Sequence, residues 1–216
     1  MGRQRWRTRV AFLWLGMAML AMSAAAGTLS WSRLGRLEEA PGPQPAVAAL
    51  AAHPTDPNVL YVGTWLTTAG ANLIYRSADG GKSWAPAASG LPHNLPANSR
   101  VNDLTLHPAD PDVPYLTPQR RGAWRSEDGG ASWHNVNEGA LAADENVVAL
   151  VIDPAPPHTL YALSDDGLNV LDDNGPWRAM NRGLPPAART VYNDIALDPT
   201  DSGTAYIATN PDGLYR

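Results

Sequence analysis

One fifteen-residue pattern occurs four times in this chain, and it constrains the fold more than any other feature. Val47 to Tyr61 reads Val-Ala-Ala-Leu-Ala-Ala-His-Pro-Thr-Asp-Pro-Asn-Val-Leu-Tyr, and Val101 to Tyr115 repeats it with prolines and tyrosine in register. Further copies run from Val147 to Tyr161 and, one residue longer, from Val191 to Tyr206. The landmark prolines 54, 108, 154 and 199 are spaced by 54, 46 and 45 residues, and Tyr61, Tyr115, Tyr161 and Tyr206 keep the same three intervals. A unit of that size cannot bury its own apolar face alone, so successive units must stack on one another.

Each unit reads as short strands joined by turns. Val47–Ala51 and Val101–Leu106 are β-rich runs stopped by His-Pro, and the later copies are stopped by Asp-Pro, a turn starter. A second strand carries the repeated tyrosine. The third is Leu73–Arg76, Ala123–Arg125, Leu168–Leu171 or Leu214–Arg216. A tight turn follows, Ser77-Ala-Asp79-Gly-Gly81-Lys-Ser-Trp84, and it recurs as Ser126-Glu-Asp128-Gly-Gly130-Ala-Ser-Trp133. A shorter third version holds Asp173 and Trp177. Four short strands in about 45 residues make one propeller blade, and no sustained helical period occurs beyond residue 40. The fold class is therefore all-β, with blades over 47–100, 101–146, 147–190 and 191–216.

The Ser-x-Asp-Gly-Gly-x-Ser-Trp turn, preceded by an aromatic-Arg pair, resembles the Asp-box (BNR) repeat of sialidases, xyloglucan-degrading hydrolases, sortilin-type receptors and photosystem II assembly factors. The resemblance covers roughly residues 47–216 and implies a β-propeller. It does not assign an activity. Asp79 and Asp128 are suited to accept hydrogen bonds from their own turns, beside glycines that permit positive φ. Ser77, Asp79, Gly81, Trp84, Ser126, Asp128, Gly130, Trp133, Asp173 and Trp177 are therefore read as structural, the Trp rings filling the slots between blades.

The first forty residues differ in kind. Arg3, Arg5, Arg7 and Arg9 precede an uncharged stretch from Val10 to Ser32, whose most apolar part ends at Met22. Residues 1–26 thus read as a signal peptide cleaved after Ala24-Ala25-Ala26, or as an apolar helix anchoring the chain through residues 10–29. Either reading sends the remainder outward, because flanking arginines stay inside. Without residues 1–40 the chain carries ten basic and nineteen acidic residues, which excludes nucleic acid as a natural partner. The chain has no cysteine, so neither a lipid-modified cysteine nor a disulfide supports it. Gly27-Thr-Leu-Ser-Trp31 shares the Gly-x-x-Ser-Trp spacing of the boxes. With the Pro-rich connection to residue 46, it is a candidate strand for closing the fourth blade, whose own fourth strand is not evident.

In an up-and-down blade the turns after strands one and three share one face. The loops after strands two and four share the other, where function is expected. Ligand-binding candidates on that loop face are Trp65, Arg120, Arg121, Asp165, Asp166 and Asp212. No catalytic residue is assigned. Asp103 and Asp194, at equivalent points of innermost strands, are the acids to consider for hydrolysis, which needs two facing carboxylates. His53 and His107 share a repeat position with Asp153 and Asp198 and read as turn acceptors, so no metal and no cofactor is implied.

The sequence thus reads as an exported, non-catalytic propeller module that binds a protein or glycan. It contacts membrane only through an uncleaved N-terminal segment. A glycoside hydrolase of sialidase or xyloglucanase type is the alternative, although the chain contains no Arg-Ile-Pro sialidase motif. A fragment of a larger Asp-box propeller is a third reading. Fusing residues 1–40 to alkaline phosphatase should give enzyme activity only outside the cytoplasm; activity confined to the cytoplasm would refute export.

Overall fold

A computed structural model of the chain describes residues 32–37, 45–66, 72–93, 95–172 and 175–216. The leader or anchor expected over residues 1–26, the candidate strand Gly27–Trp31 and Asp173 lie outside the described residues. Among those described, no helix is long and apolar enough to cross a membrane.

Among the described residues, fifteen strands form four antiparallel sheets. The first sheet holds β1 (Ala46–Ala52), β2 (Leu60–Trp65), β3 (Ile74–Ser77) and β4 (Ala85–Pro86). The second holds β5 (Val101–Leu106), β6 (Pro114–Pro118), β7 (Trp124–Arg125) and β8 (His134–Asn135). In the third are β9 (Val147–Ile152), β10 (Leu160–Ser164), β11 (Gly167–Leu171) and β12 (Arg178–Ala179). The fourth contains β13 (Val191–Asp198), β14 (Asp201–Asn210) and β15 (Gly213–Tyr215) among the described residues. Every sheet pairs its strands in chain order, and β1, β5, β9 and β13 lie side by side in that sequence. This is the blade arrangement of a β-propeller.

Local chemistry explains each turn. Before the landmark prolines, His53 and His107 accept from the backbone N–H of Asp56 and Asp110 at 3.0 and 3.1 Å. Asp153 and Asp198 do the same for Ala155 and Thr200 at 2.8 and 2.9 Å. Imidazole and carboxylate are interchangeable there because both offer an acceptor to a turn. In the Asp-box, Asp128 accepts from Ser126 Oγ at 2.7 Å, Ser132 N at 2.8 Å and Ser132 Oγ at 2.5 Å. Asp79 repeats this set with Ser77 and Ser83. These bonds, led by the serine hydroxyl, favour the ionised carboxylate and hold both acids at a pKa of about 2. Gly129 and Gly130 adopt φ of +67° and +85°, which a β-carbon would strain.

The core is a series of interfaces between blades. Tyr61, Leu73 and Ile74 of the first blade meet Val101, Leu104, Leu116 and Trp133 of the second. Tyr115 and Ala123 meet Val147, Leu150, Ala162 and Trp177 in the next interface, and Leu168 and Val170 meet Tyr192, Ile195 and Ile207 in the third. Trp133 and Trp177 are buried, and their indole N–H groups donate backwards to the carbonyls of Ala87 and Val136, both at 2.7 Å. In return, Tyr61 Oη donates forward to the Gly129 carbonyl at 2.9 Å, inside the second blade's Asp-box. Arg76 and Arg125 lie over the rings of Tyr61 and Tyr115, which accounts for the aromatic-Arg pair ahead of each box.

Trp84 departs from the inter-blade placement expected of it. Its ring is half-buried against the cluster of Leu37, Val62 and Tyr75, and Nε1 donates to its own turn at Gly81 O, 3.2 Å away. No preceding blade stands there among the described residues. Trp133→Ala should therefore cost about 3–5 kcal/mol of stability, the range for emptying a buried Trp site, whereas Trp84→Ala should cost distinctly less. Denaturant titrations of the two variants check this, and equal losses would contradict the half-buried placement.

Candidate functional site

The two faces separate as the topology requires. On one, the turns after the first strands bond to the Asp-boxes: Gly80 N to Asn58 O at 2.9 Å, and Gly129 N to Asp112 O at 3.0 Å. On the other, the turns after the second strands bond to the segments that lead into the first strands. Gln119 N donates to Arg100 O at 2.8 Å, Gly122 N to Glu145 O at 2.9 Å and Asp165 N to Asn146 O at 3.2 Å. The Thr190 hydroxyl donates to Asp212 at 2.5 Å in the fourth blade.

The loop face is pinned from beneath. Asn137 accepts from Ala123 N at 2.6 Å and donates to Arg121 O at 3.1 Å. Asn181 accepts from Leu168 N at 2.7 Å and donates to Asp166 O at 3.3 Å. Each asparagine stands four residues after its blade's Trp, a repeated signal that the sequence reading did not use. These amides fix the turns that carry Arg120-Arg121 and Asp165-Asp166.

A polar ledge crosses the first three blades on this face. Arg100 lies over the Trp65 ring at 5.4 Å, and its Nε donates to Asn102 at 3.1 Å. Asn102 Nδ2 donates to Asn146 Oδ1 at 2.9 Å and to the Val147 carbonyl at 2.8 Å. Asn146 Nδ2 reaches both Asp165 oxygens at 3.1 Å. Asp166 N donates to Glu145 at 3.3 Å beside it. A break in strand register between Val101 and Asp103 turns Asn102 outward, and the same break recurs between Val47 and Ala49 and between Tyr192 and Asp194. Of the sequence candidates, Trp65, Asp165 and Asp166 join the ledge or its edge. Arg120 and Arg121 stand on the adjacent turn, and Asp212 belongs to the fourth blade. Arg100, Asn102 and Asn146 escaped the sequence reading; Asn193, at the repeat position of Asn102, was the available hint.

Asp103 is buried beneath the ledge. One carboxylate oxygen accepts from Leu104 N at 2.9 Å and the other from Leu150 N of the next blade at 2.8 Å. Asp194 is half-buried and accepts from Ile195 N at 2.7 Å. Both acids therefore serve backbone groups, and Asp103 stitches β5 to β9.

The opposite face has a cavity of about 150 Å³ lined by His107, Tyr115, Arg125 and His158. The two imidazoles meet edge-on at 5.0 Å. Burial, then the neighbouring His158 and Arg125, hold His107 below the usual imidazole range against the pull of Asp110, while burial raises Tyr115. His107 Nδ1 serves the Asp110 turn, and His158 Nδ1 lies 3.1 Å from the Asp153 carbonyl, to which it donates. Among the described residues no group of three or more potential metal ligands converges.

No protein-family model matches the chain. It is 35% identical over 115 residues to a xyloglucanase of Acetivibrio thermocellus, a match covering 46% of this chain and 13% of that protein. In structure it is similar to an ancestral GH74 enzyme, with a TM-score of 0.61 and 18% identity, over 80% of this chain and 27% of the enzyme. A GH74 xyloglucanase of Xanthomonas campestris gives 0.58 and 22%, over 76% and 27%. The chain thus spans about an eighth of the length of the xyloglucanase it matches in sequence, and the structural likenesses establish its β-propeller fold.

Asp103→Ala should lower stability by about 1–3 kcal/mol, because two buried N–H groups lose their acceptor. Asp194→Ala should cost less, and thermal melts of both variants check the order.

Proposed function

We propose that this chain, an Asp-box β-propeller by its repeats and its fold, is an exported binding module that seats a hydroxyl-rich glycan on the ledge from Trp65 to Asp165. The observation that carries the reading is the unbroken line of guanidinium, carboxamide and carboxylate groups linked across three blades. Such groups are fixed before ligand arrives, so little ordering entropy remains to oppose binding. Carboxylate and amide acceptors and donors in alternation suit sugar hydroxyls, and an aromatic ring at one end suits the apolar face of a pyranose. The acidic net charge of residues 41–216 favours a neutral glycan over a polyanionic one.

The binding reading is preferred to hydrolysis because Asp103 has both oxygens committed to backbone N–H groups. A hydrolytic acid or nucleophile needs a carboxyl group open to the glycosidic bond. Hydrolysis remains the second reading, and sequence similarity to a xyloglucanase over 46% of the chain favours it.

Affinity electrophoresis against xyloglucan, mixed-linkage glucan and mannan should detect retardation by at least one glycan. Asn146→Ala should weaken it at least tenfold, the effect of losing a linked polar contact of about 1.4 kcal/mol, without lowering the melting temperature. Absence of retardation by every glycan would overturn the glycan assignment. Release of reducing ends that disappears in Asp194→Asn would replace the binding module with the hydrolase.

A further inference from the structure

The cavity of about 150 Å³ on the face opposite the ledge has two unlike walls. The second blade contributes His107, Tyr115 and Arg125, and the third contributes His158 beside Ile152 and Leu160. Ile152 and Leu160 are buried apolar residues, so one wall is oily and the other is rich in donors. His107 Nδ1 accepts from the Asp110 N–H at 3.1 Å, which leaves the imidazole proton on Nε2 as a donor. The Arg125 guanidinium lies over the Tyr115 ring and meets Glu127 at 3.1 Å. Glu127 is 61% exposed, and an ion pair so open to water is weak. Among the described residues, no acidic side chain lines the cavity.

The first interface shows what belongs in such a place. There Tyr61 and Arg76 stand where Tyr115 and Arg125 stand, and Arg76 Nε donates to Tyr61 Oη at 3.4 Å. The facing residue of the second blade is Asp112. A β-carbon on Gly129 would lie 3.7 Å from Tyr61 Oη and 3.8 Å from Asp112 Oδ1, so hydroxyl and carboxylate flank one glycine. The third blade has His158 at the repeat position of Asp112, each four residues after its landmark proline. The chain thus supplies its own acid beside Tyr61 and Arg76, but an imidazole beside Tyr115 and Arg125. His158 meets His107 edge-on at 5.0 Å. Burial comes first in holding His107 below the usual imidazole range, and the positive charge of His158 and Arg125 adds to it. An anion lodged among these groups would relieve that repulsion.

We propose that this cavity is a binding site for a small organic carboxylate whose body is an aromatic ring or a short aliphatic group. The carboxylate takes the place that Asp112 fills in the first interface, held by Arg125 and the Nε2–H of His107. The body lies against Ile152 and Leu160. A space of about 150 Å³ takes a six-carbon ring. A lone inorganic ion would leave the apolar wall uncovered. A guanidinium carries five N–H donors in a planar fork, so Arg125 can serve the ligand and Glu127 together.

Benzoate is the probe, titrated into the full-length chain and followed by the Cε1–H signals of its five histidines. The His107 and His158 signals, identified by their loss in His107→Gln and His158→Asn, should shift saturably. Benzamide, the same ring without charge, and inorganic phosphate, the charge without a ring, should each bind at least about tenfold more weakly. Glu127→Gln removes the competing surface acid and should tighten benzoate binding. His158→Asp installs the acid that the second blade carries at that position, and a backbone at φ +63° accepts Asp readily. It should weaken benzoate binding at least about tenfold, with the melting temperature held or raised. A titration without saturable shifts overturns the proposal. So does binding of benzamide or phosphate as tight as that of benzoate, or a His158→Asp chain that binds benzoate unchanged.

Discussion

The insertion of a box tryptophan against the preceding blade is the interaction on which the rest of this structure depends. Each sheet is short, and strands of two residues such as β4, β8 and β12 have no independent stability. They persist because Trp133 and Trp177 fill the slot between blades and donate their indole N–H groups to the carbonyls of Ala87 and Val136. A ring of that size supplies apolar area that a 45-residue unit cannot otherwise bury. Its single polar atom is satisfied by the neighbour, so the anchor also fixes the register of one blade on the next.

The Asp-box is the device that aims this ring. Asp128 gathers the serine hydroxyls and N–H groups of its turn, so the chain reverses tightly and delivers the indole in one direction. In the third blade, whose box is shorter by one residue in the sequence, Gly175 N donates to Asp172 O and Trp177 is buried as Trp133 is. Tyr61 acts from the other side, through its hydroxyl on Gly129 O. Because the boxes and the turns after the first strands are consumed in holding blades together, the opposite face is left free to vary. The ledge from Trp65 to Asp165 lies there, on turns made rigid by Asn137 and Asn181.

Two departures from the sequence reading have one cause, the arrangement of neighbouring blades. Trp84 has the same box as Trp133 but not the same burial, because burial belongs to the pair of blades and not to the motif. Asp103 and Asp194 looked alike as channel acids. Asp103 is tied to Leu150 N because β9 passes within reach, and Asp194 accepts from Ile195 N of its own strand.

The sequence by itself determined the period, the strand content, the turn chemistry and the division into two faces. Those properties are local: proline, glycine and aspartate act within a few residues, and alternation along a strand needs no partner to be visible. Asn102 and Asn146 are 44 residues apart and gave no such signal. Only the stacking of β5 beside β9 brings them together with Asp165. Tertiary structure also decided which copies of one repeated apolar position are covered, with Leu104, Leu150 and Ile195 buried and Leu50 exposed, since exposure is fixed by the neighbour that a residue meets.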